Sequence, residues 1–207
     1  MLVLHDPDTL LHETVELLAA KAIPALESPA RIREIVASLS VSSHTVERVS
    51  SPAQNSEDLD SLLHIIRNTH GEDYLNHLAA AFQKWREANL IEEDESILPE
   101  CFNFTSKAHP KTSNQPPKDI FARPGFFAFD MSSGIMKETY TSVIASANLA
   151  VKAAEKPRDG EMTGIKEVMA LCRPPGHHCD GRRAGGYCYV STLLTQHIGS
   201  LDMRTGS

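Results

Sequence analysis

Segments with a helical repeat of apolar residues alternate with short apolar runs along this chain, and this alternation constrains its fold more than any other feature. The apolar runs Leu2–Leu4 and Val168–Leu171 have the length of buried strands. Helices that alternate with short apolar strands are typical of an α/β architecture with a parallel sheet. Ligands in such folds bind at the carboxyl ends of the strands, so the residues after Leu171 are the first place to look for a site.

The predicted helices have apolar residues three or four positions apart, which places them on one face. The first helix follows Ser28 and Pro29, a pair typical of a helix N-terminus, and the others are predicted over residues 58–68, 72–89 and 137–154. Five prolines indicate that residues 98–124 form a long irregular loop, and residues 156–164 are predicted to form a polar turn.

Composition and charge exclude several functions. The chain has 207 residues and 41% hydrophobic content, which is enough for one compact domain. The net charge is -7 and the basic residues are scattered, so neither direct nucleic-acid binding nor membrane binding is expected. Polar residues near the N-terminus argue against a secretory signal, and no segment is long and apolar enough to cross a bilayer. We therefore expect an intracellular protein, cytoplasmic or nuclear, with reduced cysteines.

The segment at residues 172–190, CRPPGHHCDGRRAGGYCYV, contains the side chains best suited to chemistry. Two prolines stiffen the chain and several glycines permit a tight backbone around His177 and His178. Neighbouring side chains normally diverge, yet a rigid loop can direct two imidazoles into one cleft. One imidazole can then accept a proton while the other donates one near neutral pH. An arbitrary pair of adjacent histidines is more often an ordinary loop feature, so the pair by itself does not establish a site.

The string RPPGHH, followed after a short variable loop by GGYCYV, resembles the active-site loop of the histone deacetylase superfamily, which includes the acetylpolyamine amidohydrolases. Other segments are similar to that family as well: HDPDTLLH with ESPARIREI, HGEDYLNHL, and RPGFFAFDMSSGIMKETYTSVIASANLAV. By this resemblance, residues 1–190 are identified as the N-terminal portion of a deacetylase domain.

The resemblance implies a truncated three-layer α/β/α fold of the arginase-deacetylase type, with a parallel sheet between helices. It also implies a catalytic zinc ion that polarises an acetamide carbonyl and activates the attacking water. His177 and His178 would be the tandem histidines that move protons on the water and on the leaving amine. Gly186 and Tyr187 would line the narrow tunnel that admits the acyl-bearing alkyl chain. Ordinary core packing of Tyr187 is the alternative interpretation.

The tail at residues 191–207 departs from the family pattern. The family continues with an Asp-x-Asp-x-His segment and a later aspartate that supply zinc ligands, and this tail matches neither. His197 and Asp202 are the remaining candidate donors there, whereas a zinc site needs at least three protein ligands. We therefore predict no metal ligands in this chain and no zinc binding by the chain alone. An incomplete gene model, a frameshift, a retained intron or a remnant that has lost activity would each explain such a tail.

Several interpretations of function stay open. The first is a zinc-dependent deacetylase that acts on acetyl-lysine in histones or other proteins, or on acetylated polyamines. The second is a non-catalytic fragment or pseudoenzyme that acts by associating with other proteins, and a homo-oligomer is also left open. The third is a cysteine hydrolase that uses Cys179 beside His178, although no third group that would orient them is evident. The HETVE segment from His12 lacks the second histidine of an HExxH zinc motif and is interpreted as an exposed helix face.

Overall fold

A computed structural model describes residues 1–19, 21–102, 115–156 and 167–193 of the chain. Its strands are β1 (Leu2–His5), β2 (Val15–Leu18), β3 (Lys21–Pro24), β4 (Thr45–Arg48) and β5 (Val168–Ala170). Three of them form a parallel sheet with the order β4-β1-β5, and β2 and β3 form a separate antiparallel hairpin. The predicted parallel sheet is therefore present.

The α-helices of the described residues are α1 (Pro29–Ser40), α2 (Glu57–Arg67), α3 (Glu72–Glu87), the short α4 (Arg123–Phe126) and α5 (Thr139–Glu155), and a single 3-10 turn lies at Pro7–Leu10. The four long helices agree with the sequence prediction to within a few residues at their ends. Ser28 occupies the N-cap of α1 and Pro29 its first turn, as predicted, although the Ser28 side chain makes no capping hydrogen bond. No described helix combines the length and the apolar character needed to cross a membrane.

The sheet lies between helices, and the alternation of side chains along β1 shows how. Leu2 and Leu4 are buried on one face of the sheet, where they pack against Leu149 and Ala153 of α5. Val3 is buried on the other face against Ile32 of α1. Because successive side chains of a strand point to opposite faces, β1 is apolar on both sides and is covered on both. The three-layer α/β/α arrangement that the resemblance implied is thus present.

Two local interpretations need correction. The run Val168–Leu171 does form a parallel strand beside β1, but this strand ends at Ala170 and is not fully buried, because Met169 is 40% exposed. The HETVE segment is not an exposed helix face, because it leads into the strand β2 and His12 is only 2% exposed. Both interpretations were made from the local sequence alone, whereas burial at these positions depends on which distant segment of the chain lies beside them.

Other predictions fall wholly or partly outside the described residues. Within the predicted loop at residues 98–124, residues 103–114 are not described, and the rest is irregular until α4 begins. Most of the polar turn predicted at residues 156–164 likewise lies outside the described residues. The boundary between residues 1–190 and the tail 191–207 stays a prediction, because residues 194–207, with His197 and Asp202, are not described.

Candidate active site

The loop that follows β5 leaves the carboxyl end of the parallel sheet, as the sequence predicts. Leu171 extends the contact with β1 by donating its N–H to the Leu4 carbonyl at 3.0 Å. The loop then folds back on itself at Gly176, where an added Cβ would lie 2.3 Å from the Thr192 nitrogen and 2.4 Å from the Val190 oxygen. Glycine is therefore required there by the close approach of two backbone segments.

His177 and His178 lie together at the surface of this loop. Their ring centroids are 4.1 Å apart with an interplanar angle of 47°, and both residues are exposed. The tendency of adjacent side chains to diverge is thus overcome by the local backbone, and two imidazoles face the same solvent-accessible region. Such a pair is placed to exchange protons with a bound molecule. The catalytic assignment of these two residues stays a prediction.

A tight turn at Gly186 and Tyr187 packs against the second histidine. Both residues have positive φ, 57° for Gly186 and 65° for Tyr187, which is typical of a two-residue type I′ turn. A Cβ on Gly186 would lie 2.6 Å from Cδ2 and 2.9 Å from Cβ of His178. The absence of a side chain at Gly186 therefore leaves the space that the His178 ring occupies. The structure thus brings three of the four predicted site residues together, because His178 contacts both His177 and Gly186. The fourth, Tyr187, follows Gly186 in the same turn.

The Tyr187 side chain is held at its far end by a carboxylate that the sequence did not single out. Its hydroxyl donates to Glu16 Oε2 at 2.7 Å, and the Leu26 N–H donates to the other oxygen of Glu16 at 3.3 Å. The hydrogen bond to Glu16, together with burial, raises the pKa of Tyr187 to about 12. Tyr187 therefore keeps its proton near neutral pH. It is half-buried and linked to β2, which is compatible with a wall of a substrate tunnel and with packing.

The segment that leaves the turn is fixed by residues of the HGEDYLNHL string. The Tyr74 hydroxyl donates to the Tyr189 carbonyl at 2.7 Å. The backbone N–H of Ser191 donates to Nε2 of His70 at 2.9 Å. His70, just before α3, and Tyr74, in its first turn, thus hold the backbone that follows Cys188. This gives a structural reason for a histidine and a tyrosine four residues apart in this string.

The cysteine chemistry considered as an alternative is disfavoured by the environment of Cys179. All four cysteines, Cys101, Cys172, Cys179 and Cys188, are free thiols. Burial raises the pKa of Cys179 to about 12. A nucleophilic cysteine needs a lowered pKa so that the thiolate is populated near neutral pH. Cys179 has the opposite environment, so it is not a suitable nucleophile.

The described residues do not fit a zinc site. Across residues 1–19, 21–102, 115–156 and 167–193, no group of three or more His, Cys, Asp or Glu side chains is arranged to hold a metal ion. A catalytic zinc ion needs three protein ligands, and the exposed pair His177 and His178 does not supply them. No catalytic step through a metal is therefore derived for this chain.

A buried hydrogen-bond network lies beneath the candidate site. His12 Nδ1 is 3.0 Å from Thr139 Oγ1, and its Nε2 is 3.3 Å from the Tyr189 hydroxyl. That hydroxyl donates to the Gly134 carbonyl at 2.6 Å, and the Met136 N–H donates to Thr139 Oγ1 at 2.8 Å. A neutral His12 with its proton on Nε2 satisfies every group in this chain of bonds. Burial, with a smaller contribution from Arg173, lowers the pKa of His12 to about 3.

The stability of the fold is expected to fall as the solution is acidified below about pH 6.5. Burial lowers the pKa of His12 to about 3 and that of His77 to about 4, from an ordinary value of 6.5. Below that ordinary value the unfolded chain binds a proton on each histidine, whereas the folded chain does not until its own lower pKa is reached. Each histidine therefore reduces the free energy of unfolding by up to about 1.4 kcal/mol per pH unit.

Urea unfolding of the chain at a series of pH values, with the variant His77→Leu, tests this expectation. Nε2 of His77 has no hydrogen-bond partner among the described residues, so leucine removes the titration without breaking a bond. The variant should lose stability less steeply on acidification than the unaltered chain. His64→Gln, on the exposed side of α2, is the control for loss of a histidine. Equal slopes for His77→Leu and the unaltered chain would contradict the expectation.

Comparison with known families decides the assignment. The model of the histone deacetylase domain matches residues 25–196, which is most of the chain. The chain belongs to the histone deacetylase family. Within that family it is similar to acetylpolyamine amidohydrolase 2 of Pseudomonas aeruginosa, with 27% identity over 207 residues that cover 100% of this chain and 54% of the relative. It is equally similar to the acetylpolyamine amidohydrolase of Mycoplana ramosa, with 27% identity over 97% of this chain and 53% of the relative.

Solved structures show the same fold for this histone deacetylase family member. An acetylpolyamine aminohydrolase from Burkholderia pseudomallei superimposes with a TM-score of 0.73 at 24% identity, covering 99% of this chain and 53% of that chain. The HDA15 HD domain superimposes with a TM-score of 0.59 at 17% identity, covering 98% of this chain and 44% of that chain. The chain spans about half the length of the curated relatives it matches. The arginase-deacetylase fold predicted from the sequence is thereby confirmed.

Proposed function

We propose that this chain supplies the tandem-histidine part of the active site of a deacetylase that hydrolyses the amide bond of acetylated polyamines. The observation that carries the proposal is the contact between His178, its neighbour His177 and the Gly186–Tyr187 turn at the carboxyl end of the parallel sheet. Two exposed imidazoles beside a glycine and a half-buried aromatic ring combine proton-transfer groups with a surface for a slim alkyl chain.

The two histidines would divide the proton transfers of amide hydrolysis between them. One neutral imidazole accepts a proton from the water that attacks the acetamide carbonyl. A protonated imidazole donates to the nitrogen of the departing amine, which would otherwise be too basic to leave. Rings whose centroids are 4.1 Å apart can reach two atoms of one scissile bond. Zinc, which the resemblance implies for the family, has no ligand set in the described part of the chain, so we assign it no residue here.

A carboxylate next to the turn favours a cationic substrate. Glu16 accepts the Tyr187 hydroxyl at 2.7 Å. A polyamine carries positive charge a few bonds from its acetylated nitrogen, so negative charge beside the alkyl path would attract it. The names of the relatives point to the same substrate class. Acetyl-lysine in histones or other proteins is the competing substrate, and it presents the same acylated alkyl stem.

A comparison of two substrates tests the proposal. The purified chain is incubated with an acetylated polyamine or with an acetyl-lysine peptide, and the released primary amine is measured. We expect faster release from the polyamine. Glu16→Gln should reduce that preference by about fivefold, because it removes a charge worth roughly 1 kcal/mol beside a partly exposed path. Tyr187→Phe is the matched control, since it breaks the same hydrogen bond and leaves the Glu16 charge in place.

The outcomes separate the interpretations. A greater rate of amine release from the peptide would indicate that the substrates are acetyl-lysine proteins and not acetylated polyamines. An equal loss of preference in Glu16→Gln and Tyr187→Phe would mean that the Tyr187 ring position, and not the Glu16 charge, selects the substrate. The absence of amine release from both substrates would contradict catalysis by this chain.

The second candidate function is association without catalysis. Two observations favour it: the described residues offer no metal-ligand set, and β5, the last strand in the described order β4-β1-β5, leaves Met169 40% exposed. An open strand edge can pair with another chain. Light scattering of the purified chain would reveal self-association, and a monomer without hydrolase activity would count against both candidates. Homo-oligomer formation and an intracellular location stay predictions.

A further inference from the structure

The Gly186–Tyr187 turn needs support from outside itself. Gly185 and Cys188 close it with two reciprocal backbone hydrogen bonds of 3.0 Å. The backbone N–H groups of Gly186 and Tyr187 are not used in those bonds. Tyr187 also holds a left-handed conformation at φ 65°, which costs a residue with a side chain roughly 1–2 kcal/mol. Such a conformation persists only where neighbouring groups fix it.

Asp130 and Ser132 together satisfy both free N–H groups of the turn. Oδ2 of Asp130 accepts the Gly186 N–H at 2.7 Å. Oδ1 of Asp130 accepts the backbone N–H of Ser132 at 3.0 Å and its hydroxyl at 2.9 Å. Because that hydroxyl donates to Asp130, its oxygen is free to accept the Tyr187 N–H at 3.2 Å. Asp130 thus binds the turn directly at Gly186 and through Ser132 at Tyr187.

The backbone that carries Asp130 is itself aligned with the turn. Ala128 forms a parallel bridge with Ala184. The Phe129 N–H donates to the Ala184 carbonyl at 3.0 Å, and the Ala184 N–H donates to the Phe127 carbonyl at 2.8 Å. The Phe129 ring also covers Gly185 so closely that a Cβ there would lie 2.2 Å from it. These backbone contacts therefore fix the position of Asp130 relative to the turn.

The contact between Gly186 and His178 transmits the position of the turn to the histidine. A Cβ at Gly186 would be only 2.6–2.9 Å from Cδ2, Cγ and Cβ of His178. The ring consequently lies directly on the glycine backbone, and a shift of that backbone changes where the ring can rest. A misplacement of about 1 Å in a proton-transfer group is enough to slow a reaction strongly.

We propose that Asp130 is a positioning residue of the proposed hydrolase, which fixes the Gly186–Tyr187 turn and, through Gly186, sets the orientation of the His178 ring. This inference rests on the proposed function for its effect on rate, but its structural part does not need activity. Among the described residues, the hydrogen bonds of Asp130 go to Ser132 and Gly186 and to neither histidine ring, so its effect is indirect.

Three variants separate positioning from charge. Asp130→Ala removes both supports of the turn. Asp130→Asn removes the charge but keeps one side-chain oxygen that can accept the Gly186 N–H. Asp119→Ala is the matched control, because Asp119 Oδ1 also accepts an N–H two residues on, from Phe121 at 3.0 Å, but in a separate turn. The readouts are the NMR signals of the Gly186 amide and the His178 ring, together with kcat and KM for an acetylated polyamine.

We expect Asp130→Ala to shift both NMR signals and to lower kcat about tenfold, the loss that corresponds to one charge-assisted hydrogen bond. KM should change by less than about twofold, and Asp130→Asn should recover most of kcat. An unshifted His178 signal in Asp130→Ala would overturn the inference. So would a raised KM with unchanged kcat in both Asp130 variants, which would indicate that Asp130 attracts the substrate by charge. If the unaltered chain has no turnover, the proposed function fails while the NMR comparison still decides the inference.

Discussion

Alanine at both His177 and His178 is expected to lower the rate of amide hydrolysis by about 100- to 10,000-fold, the usual contribution of general acid–base catalysis. The two rings lie 4.1 Å apart and both residues are exposed, so alanine at these positions should leave the buried core of the fold in place. The loss should appear in kcat, because the proton transfers take place in the transition state and contribute little to ground-state binding.

Initial rates of amine release from an acetylated polyamine, measured over a range of pH, test this prediction. His177→Ala and His178→Ala measured separately should alter different limbs of the pH profile, since one ring accepts a proton and the other donates one. His64→Ala on α2 is the matched control for loss of an exposed histidine, and circular dichroism checks that each variant is folded. A double variant as active as the control would exclude the assigned chemistry.

Replacing Arg173 with methionine is expected to reduce the free energy of unfolding by about 3 kcal/mol, because it leaves the buried Glu27 carboxylate with only the largely exposed Arg31 as an ion-pair partner. The Arg173 side chain is fully buried, and its Nε lies 3.0 Å from Oε2 of Glu27, whose side chain is 8% exposed. Its Nη1 donates to the Thr9 carbonyl at 2.7 Å and its Nη2 to the Glu27 carbonyl at 3.2 Å. Burial raises the pKa of Glu27 and lowers that of Arg173, the directions expected when both charges are removed from water.

Urea unfolding of three variants measures this effect. Arg183→Met in the same loop is the matched control, because Arg183 pairs with Asp180 at 2.8 Å with both side chains about half exposed. That exposed pair should contribute less than about 1 kcal/mol. The double variant Arg173→Met with Glu27→Gln should lose less stability than Arg173→Met alone, since the buried carboxylate charge is removed together with its buried partner. Similar losses for Arg173→Met and Arg183→Met would show that burial of the pair has no energetic consequence.

Local sequence patterns were sufficient for the four long helices and for the first strand, but not for the short α4. α2 and α3 were predicted from the spacing of apolar residues, and their ends in the structure differ by a few residues at most. A helical repeat is a property of neighbouring residues, so it can be recognised without knowing what the helix packs against. The β2–β3 hairpin and β4 were not predicted. Their residues are half-exposed or exposed and show little apolar alternation, and each strand is defined mainly by its hydrogen-bonded partner.

The candidate site likewise contains some residues that could be identified from the sequence and others that could not. His177, His178, Gly186 and Tyr187 were found from the sequence because they occur within one short segment whose residue types are unusual in combination. Asp130 and Ser132 were missed, although an aspartate that accepts the N–H two residues on is a recognisable local turn. What that pattern lacks is any indication that the second carboxylate oxygen reaches Gly186, which is far away in the sequence.

The sequence by itself determined the family, the α/β fold class, the long helices and the loop with the paired histidines, because each is encoded by residues close together in the chain. Tertiary structure alone decided that His12 is buried, that Glu16 binds the Tyr187 hydroxyl and that Asp130 supports the turn against which His178 rests. Those contacts join segments that are far apart in the sequence, and they depend on how the layers of the sheet and helices bring distant backbone together. Short-range periodicity carries no information about that arrangement.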